Sequence, residues 1–337
     1  MNKKRIIAII SSCILTIGMF TGCGSSTGTK TETTTQPMTL RLADIQPEGY
    51  PTILGDKAFA KAVEEKTQGR IKVQVYSGAQ LGDEKSTIEQ VQFGAIDGIR
   101  IGAAPLAEFN KEIGALILPY LFKDKDQMFR VLEGPIGEKM FASLEADSKI
   151  VGLSWLDAGA RSFYNTKKDI KTPDDLKGLK IRVQESKPMM DMVKALGGSP
   201  TPMASGEVYS ALQTGVVDGA ENNWPSYLNF NHYEVAKHIT IDEHTRVPEM
   251  IALSKMTWDK ISKADQALVK EAALEGAAVE RAEWLKQEES AQAKIIAKGG
   301  VTITKLESNK AFQDKVQGMY AAHPEWKETI QAIIDTK

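Results

Sequence analysis

From residue 38 onward, apolar and polar positions follow two different periods along the chain. Thr39-Leu40-Arg41-Leu42-Ala43 and Arg70-Ile71-Lys72-Val73-Gln74-Val75-Tyr76 change sides at every residue, the period of a half-buried strand. Between them, Ala58, Phe59, Ala62 and Val63 recur at the spacing of one helix face within 55–67. Strand and helix signals taking turns predict an α/β fold.

The pattern contains an echo. Gln92-Phe93-Gly94-Ala95-Ile96-Asp97-Gly98 and Gln213-Thr214-Gly215-Val216-Val217-Asp218-Gly219 share the form Q-x-G-x-x-D-G, each after a helical stretch and before a short strand signal. The first glycine suits a helix end with positive φ, and the Asp-Gly pair suits a tight lead into a strand. The echo implies two lobes of similar construction with a cleft between them. Chance likeness of two common helix–turn–strand units is the alternative.

One helical signal is unusually long. Ser262-Lys263-Ala264-Asp265 reads as a helix N-terminus, and helix formers continue to Lys298 before Gly299-Gly300. At about 1.5 Å per residue such a helix reaches roughly 54 Å, enough to cross both lobes. A break near Gly276 is the alternative.

Residues 1–37 do not share the pattern. Lys3, Lys4 and Arg5 precede an apolar or small run from Ile6 to Phe20, too short and too one-sidedly flanked to span a membrane stably. This predicts an export signal over 1–22. Residues 23–37 hold no side chain able to join a core and read as a flexible tether. The junction Thr21-Gly22-Cys23 resembles the bacterial lipobox, whose cysteine is acylated and becomes the mature N-terminus; Phe20 departs from the leucine usual there. An ordinary secreted protein with an incidental Cys23 is the other reading.

Composition narrows the function. The 337 residues carry 42 Lys+Arg against 44 Asp+Glu, a net charge of −2, with 42% hydrophobic content, which excludes a disordered chain and a polytopic membrane protein. Such a balance offers no basic field for nucleic acid. Loss of the leader's three cations takes the charge to −5. With Cys13 in the leader and Cys23 acylated, no cysteine remains for a disulfide, a nucleophile or a metal, and neither metal nor cofactor is expected.

No phosphate-cradling glycine loop, nucleophile elbow or H-E-x-x-H occurs, and His232, His238, His244 and His323 lack metal-ligand spacing. Instead, arginines interrupt apolar strands: Arg100 between Ile99 and Ile101, Arg182 between Ile181 and Val183, and Arg161 after Asp157-Ala158-Gly159-Ala160. Each alone reads as a salt-bridged structural residue. Together, near related strand ends of two lobes, they suggest a cleft for an anion, since a guanidinium matches carboxylate geometry in two bonds. Glu221-Asn222-Asn223-Trp224-Pro225-Ser226-Tyr227 sets donors and acceptors beside aromatic faces, a mixture that suits sugars. A turn with a core tryptophan fits it equally.

Three runs then carry a specific resemblance: Ala160-Arg161-Ser162-Phe163-Tyr164-Asn165, Thr172 to Val183 through Gly178-Leu179-Lys180-Ile181-Arg182, and Glu207 to Asn222. They are similar, in order and across nearly the whole chain from Thr39, to the solute-binding subunit of tripartite ATP-independent periplasmic (TRAP) transporters, the DctP family. The resemblance implies a two-lobed periplasmic-binding-protein-like α/β fold with mixed β-sheets flanked by helices. It implies lobe I from 38–160 and 247–286, lobe II from 161–246 and 287–337, a long helix spanning both, and closure around an organic acid. By the family's pattern Arg182 pairs with the solute carboxylate, Arg161 is a second anion contact and Asn222 a further contact.

Pro47-Glu48-Gly49-Tyr50-Pro51-Thr52, Gln80-Leu81-Gly82-Asp83-Glu84-Lys85, Arg100 and the run 221–227 are similar to the branch that binds hexuronates such as glucuronate and galacturonate. There Glu48, Glu84 and Arg100 hold hydroxyls and ring oxygens, and Gln184 and Asn223 complete the expected set. Gln46 stands where relatives commonly have histidine. The implied partners are a hexuronate, the TRAP permease subunits and, through Cys23, the extracytoplasmic face of the cell membrane. Buried glutamates would repel a second carboxylate, which favours a hydroxyl-rich monocarboxylate. The rivals are another acid (sialic, aromatic or C4-dicarboxylate), a ligand sensor, and a uronate-acting enzyme with His244 or Glu84 as its base.

Overall fold

The structure is a computed structural model and describes residues 37–337. The expected leader, Cys23 and all but the last residue of the tether lie outside the described residues.

The strands are β1 (Met38–Ala43), β2 (Ile71–Tyr76), β3 (Gly98–Gly102), β4 (Ile150–Leu156), β5 (Ala160–Asn165), β6 (Lys180–Val183), β7 (Ser199–Pro202), β8 (Gly219–Asn222), β9 (His238–Arg246), β10 (Glu249–Ser254) and β11 (Thr302–Lys305). They form two mixed sheets, ordered β2-β1-β3-β10-β4 and β11-β9-β5-β8-β6-β7. In the first, β1 pairs in parallel with β2 and β3, as helical crossovers require, and β10 runs antiparallel between β3 and β4. The second repeats this, with β6 parallel to β7 and β8, and β5 antiparallel between β8 and β9.

The echo has a physical basis in this repeat. Asp97 Oδ2 accepts the backbone N–H of Arg41 on β1 (2.8 Å), and Asp218 Oδ2 accepts that of Lys180 on β6 (2.9 Å). Each aspartate ties the lead of a central strand to its parallel neighbour. The glycine after it is forced by contact: a Cβ on Gly98 would lie 3.0 Å from Ala252 O, and one on Gly219 would lie 2.6 Å from Tyr164 O.

The chain passes between the sheets at 157–159, from β4 to β5, and at 247–248, from β9 to β10. Both connections are short and mostly buried. Asp157 N–H donates to Glu280 Oε2 (3.0 Å) and Asp157 Oδ1 accepts from Gly159 N–H (2.9 Å), so the long helix holds the first connection.

That helix runs unbroken from Lys263 to Lys298, with Ser262 accepting the N–H of Asp265 at its start and Gly299, at φ +71°, ending it. Gly276 is a crossing point, not a break. A Cβ there would lie 2.8 Å from Phe59 Cβ and 2.9 Å from Gly55 O, and one on Gly55 would lie 2.6 Å from Glu280 Cβ. The paired glycines let the helix Pro51–Lys66 touch the long helix at backbone distance. Val269, Ala272, Ala273 and Ala277 join the core under the first sheet, whereas Ile295 joins that of the second, so the helix spans both lobes.

The C-terminal segments are shared. Helix Lys310–Ala321 sends Phe312 and Val316 into the core that holds Met189, Met192 and Val193. The final helix Lys327–Asp335 is tied instead to Gln127, whose Nε2 donates to Ile333 O (3.1 Å) and Thr336 O (2.8 Å). Among the described residues no helix is long and apolar enough to cross a membrane.

Candidate functional site

The carboxyl ends of β1, β6 and β8 face one another between the sheets, the place where open α/β sheets hold ligands. Of the eight expected contacts, six line one cavity there: Glu84, Arg161, Arg182, Gln184, Asn222 and Asn223. Its volume is about 20 Å³, room for about one water, so a larger solute enters only when the walls part. A neighbouring cavity of about 400 Å³ shares Ile45, Glu84 and Ser205 with it. Across the lobes, Tyr50 Oη and Ser226 Oγ share a 2.9 Å hydrogen bond, and Lys187 N–H donates to Glu108 Oε1 at 2.6 Å. Those bonds join the two walls of the cleft.

Arg182 is set by its strand. Its neighbours Ile181 and Val183 pack into the core, so its own side chain emerges on the other face of β6, only 2% exposed. Nε and Nη2 donate to Met203 O at 3.0 and 2.7 Å. Among the described residues no carboxylate lies within ion-pair distance of it, in contrast to the other two arginines. Burial, acting on this unpaired charge, holds its pKa below the ordinary guanidinium value. A buried cation without a counter-charge is expensive, and an entering carboxylate is the group that relieves it.

Arg161 has its partner already. Its Nε and Nη2 grip Glu221 Oε2 and Oε1 at 2.5 and 2.9 Å, and Nη1 donates to Asn222 Oδ1 at 2.8 Å. His244 continues the row, with Nε2 3.4 Å from Glu221 Oε2 and Nδ1 2.9 Å from Asp242 Oδ2. Burial would raise the Glu221 carboxyl, but Arg161 and His244 pull it down to about 2. Burial would likewise lower the His244 imidazole, yet Asp242 and Glu221 lift it to about 9. His244 is thus wholly enclosed, with both ring nitrogens turned to carboxylates that favour its charged form. Asp242 Oδ1 also accepts the Phe163 N–H (3.1 Å), where the β5–β9 register shifts between Arg161 and Phe163.

Two expected contacts lie elsewhere. Arg100 sits behind the cavity wall: Nη2 is bonded to Asp44, and Nη1 lies 3.1 Å from Glu249 Oε2. Glu48 faces outward. Gly49, at φ +82°, turns the chain before Pro51 starts its helix, and the Glu48 carboxylate meets Lys57 and Ser77 Oγ, the latter at 2.8 Å. Asn223 lines the cavity but is also committed as a helix cap, accepting from Ser226 N–H (2.8 Å) and donating to Ala158 O (3.0 Å).

Sequence reasoning missed Glu249, Ser205 and Ser226 as wall residues. Glu249 had one legible sign, a lone acid opening the apolar run Met250-Ile251-Ala252-Leu253. Among the described residues no group of His, Cys, Asp and Glu is placed to hold a metal.

The comparisons with known proteins agree with this geometry. Residues 42–327 match the family model for bacterial extracellular solute-binding protein, family 7 (DctP). A solute-binding protein of Chromohalobacter salexigens is 39% identical, over 100% of this chain and 99% of its own. A TRAP periplasmic solute-binding protein from that organism, solved with bound D-glucuronate, superposes with a TM-score of 0.85 at 40% identity, covering 88% of this chain and 100% of that one. A Bradyrhizobium relative with α/β-D-galacturonate gives 0.85 at 42% identity, over 88% and 99%. A Polaromonas relative bound to D-erythronate gives 0.86 at 32% identity, over 89% and 99%. The two mixed sheets and the long helix that spans them are thus a shared architecture, and this chain belongs to the family 7 (DctP) solute-binding proteins of TRAP transporters.

Proposed function

We propose that the protein captures a hexuronate of the D-glucuronate or D-galacturonate type outside the cytoplasm and delivers it to its TRAP permease. The observation that carries this reading is Arg182, buried and unpaired, beside a wall of hydroxyl partners: Glu84, Gln46, Gln184 and Asn222. A hexuronate brings one carboxylate and several hydroxyls, one anion for the guanidinium and donors for the acceptors. Relatives of 40% and 42% identity hold D-glucuronate and D-galacturonate, which supports the assignment. Release to the permease requires reversible binding and no bond chemistry, and the enclosure of His244, with both ring nitrogens turned to carboxylates, argues against the uronate-acting enzyme. Acylation of Cys23 would keep the domain at the membrane surface after removal of 1–22. In this reading Glu84, Gln184 and Asn222 touch the solute beside Arg182, while Arg161 and Asn223 hold the wall in place.

Calorimetric titration with glucuronate, galacturonate, erythronate, sialic acid and succinate tests the proposal. Tightest binding to the two uronates is expected. Tighter binding of succinate or sialic acid would overturn it.

A further inference from the structure

We propose that Glu249 touches the captured acid, holding one of its hydroxyls, and takes up a proton as the solute binds. The inference rests on the sugar-acid reading and deepens it.

Glu249 opens β10, level with Gly102 on β3 and Leu156 on β4, and its side chain forms part of the cavity wall. Its Oε2 lies 3.1 Å from Arg100 Nη1, yet both atoms are buried without a hydrogen bond of sound geometry. Arg100 gives its bonded edge to Asp44, which is anchored by Thr52 Oγ1 at 2.8 Å. Beyond that ion pair, no hydrogen bond among the described residues satisfies Glu249 Oε2. Two other acceptors on the same wall are in the same position: Gln46 Oε1 and Gln184 Oε1, on residues 6% and 8% exposed, are buried and unpartnered. Unpartnered buried acceptors around one unpaired guanidinium specify an occupant with several donors and one negative charge.

The charges around Glu249 make the proton necessary. Arg100 faces it from β3 and Arg161 from β5; Asp44 faces it from the end of β1 and Glu84 from the helix Glu84–Gln92. Asp56, on the helix Pro51–Lys66, and Glu280, on the long helix, are raised well above the usual carboxylate range by burial. Tyr50 likewise stays a phenol, since burial raises it. Arg161 and His244 are balanced by Glu221 and Asp242, so Arg100 and Arg182 are left to face Asp44, Glu84, itself raised by burial, and Glu249, and a solute carboxylate beside Arg182 adds a fourth acid to those two cations. Burial first, then Asp44 and Glu84, against Arg100 and Arg161, set Glu249 at about 7 before any solute enters. The added anion and the loss of water move it higher, and the protonated Glu249 donates its O–H to a solute oxygen while its other oxygen still accepts a solute hydroxyl, so the complex holds more proton than the free protein. Affinity must then rise as pH falls through this range.

The test is calorimetric titration of D-glucuronate, or of whichever acid the protein binds best, into the wild-type protein and two variants. For the wild type, Kd should weaken at least threefold from about pH 6.5 to about pH 8.5, and binding enthalpies in phosphate and Tris should differ in the sense of proton uptake. Glu249→Gln, neutral and of the same shape, should bind with a pH-independent Kd and equal enthalpies in both buffers. Glu249→Leu should lose about tenfold or more in affinity while keeping the circular dichroism and melting profile of a folded domain. Retained pH dependence and proton uptake in Glu249→Gln, or wild-type affinity in Glu249→Leu, would overturn the proposal. Loss of the linkage in Glu84→Gln but not in Glu249→Gln would do so as well. If the best acid is not a uronate, the proposed function fails, and the Glu249 inference is still decided by that acid.

Discussion

In the first sheet β3 carries Arg100 opposite Ile251, and Glu249 stands two residues before Ile251 on β10. In the second sheet β8 carries Glu221 opposite Phe163, and Arg161 stands two residues before Phe163 on β5. The same diagonal of the same strand pair thus holds an arginine and a glutamate in both lobes, with the signs exchanged. The difference lies in closure. Arg161 and Glu221 bond through both edges and are continued by His244 and Asp242, which leaves a finished structural row. Arg100 spends its bonded edge on Asp44, and Glu249 keeps only an ion pair with it, its Oε2 without a hydrogen bond beside the cavity. One lobe uses the diagonal as framework, and the other leaves it open to an occupant.

That contrast is sharpest under truncation. Arg161→Ala leaves Glu221 buried without its main counter-charge, and a destabilisation of about 3–5 kcal/mol is expected in urea unfolding. A loss under about 1 kcal/mol would mean that the row is not structural.

The row also predicts a pH effect of definite sign. His244 is raised to about 9 from an ordinary value of 6.5, so the stability it contributes is complete below about 6.5 and is lost as pH rises through 9. Wild-type stability should therefore fall by about 3 kcal/mol between those limits relative to His244→Gln, measured by urea unfolding at each pH. Parallel curves for the two proteins would contradict the assigned imidazolium. The smallest effect is expected at Glu48, whose carboxylate is exposed on Lys57. Glu48→Gln should change neither solute affinity nor melting temperature, and a large loss of affinity would show that closure on a solute brings Glu48 inward.

Much of the fold was legible because its signals are local. The caps at Ser262 and Gly299 bounded the long helix, and the Asp-Gly echo marked two strands that do hold corresponding places in two sheets. Arg182 stood out because a charge between two core residues has one face left to it. Partnership was not legible. Arg100 meets Asp44 across 56 positions and Arg161 meets Glu221 across 60, so only the register of the folded sheets separates the paired arginines from the unpaired one. The outward turn of Glu48 depends on the positive φ of one glycine, and the cavity role of Glu249 depends on where β10 begins between β3 and β4.

The central claim is that Arg182 is a buried cation held ready for a solute carboxylate. It is tested most directly by titrating D-glucuronate into the wild-type protein and into Arg182→Ala, with the unfolding of both followed in parallel. The account predicts that the variant loses about 3–5 kcal/mol of binding free energy while its own stability is unchanged or increased, because the removed charge, bonded only to Met203 O, had no carboxylate within ion-pair distance among the described residues. Retained affinity in Arg182→Ala, or loss of affinity only through loss of folding, would contradict it.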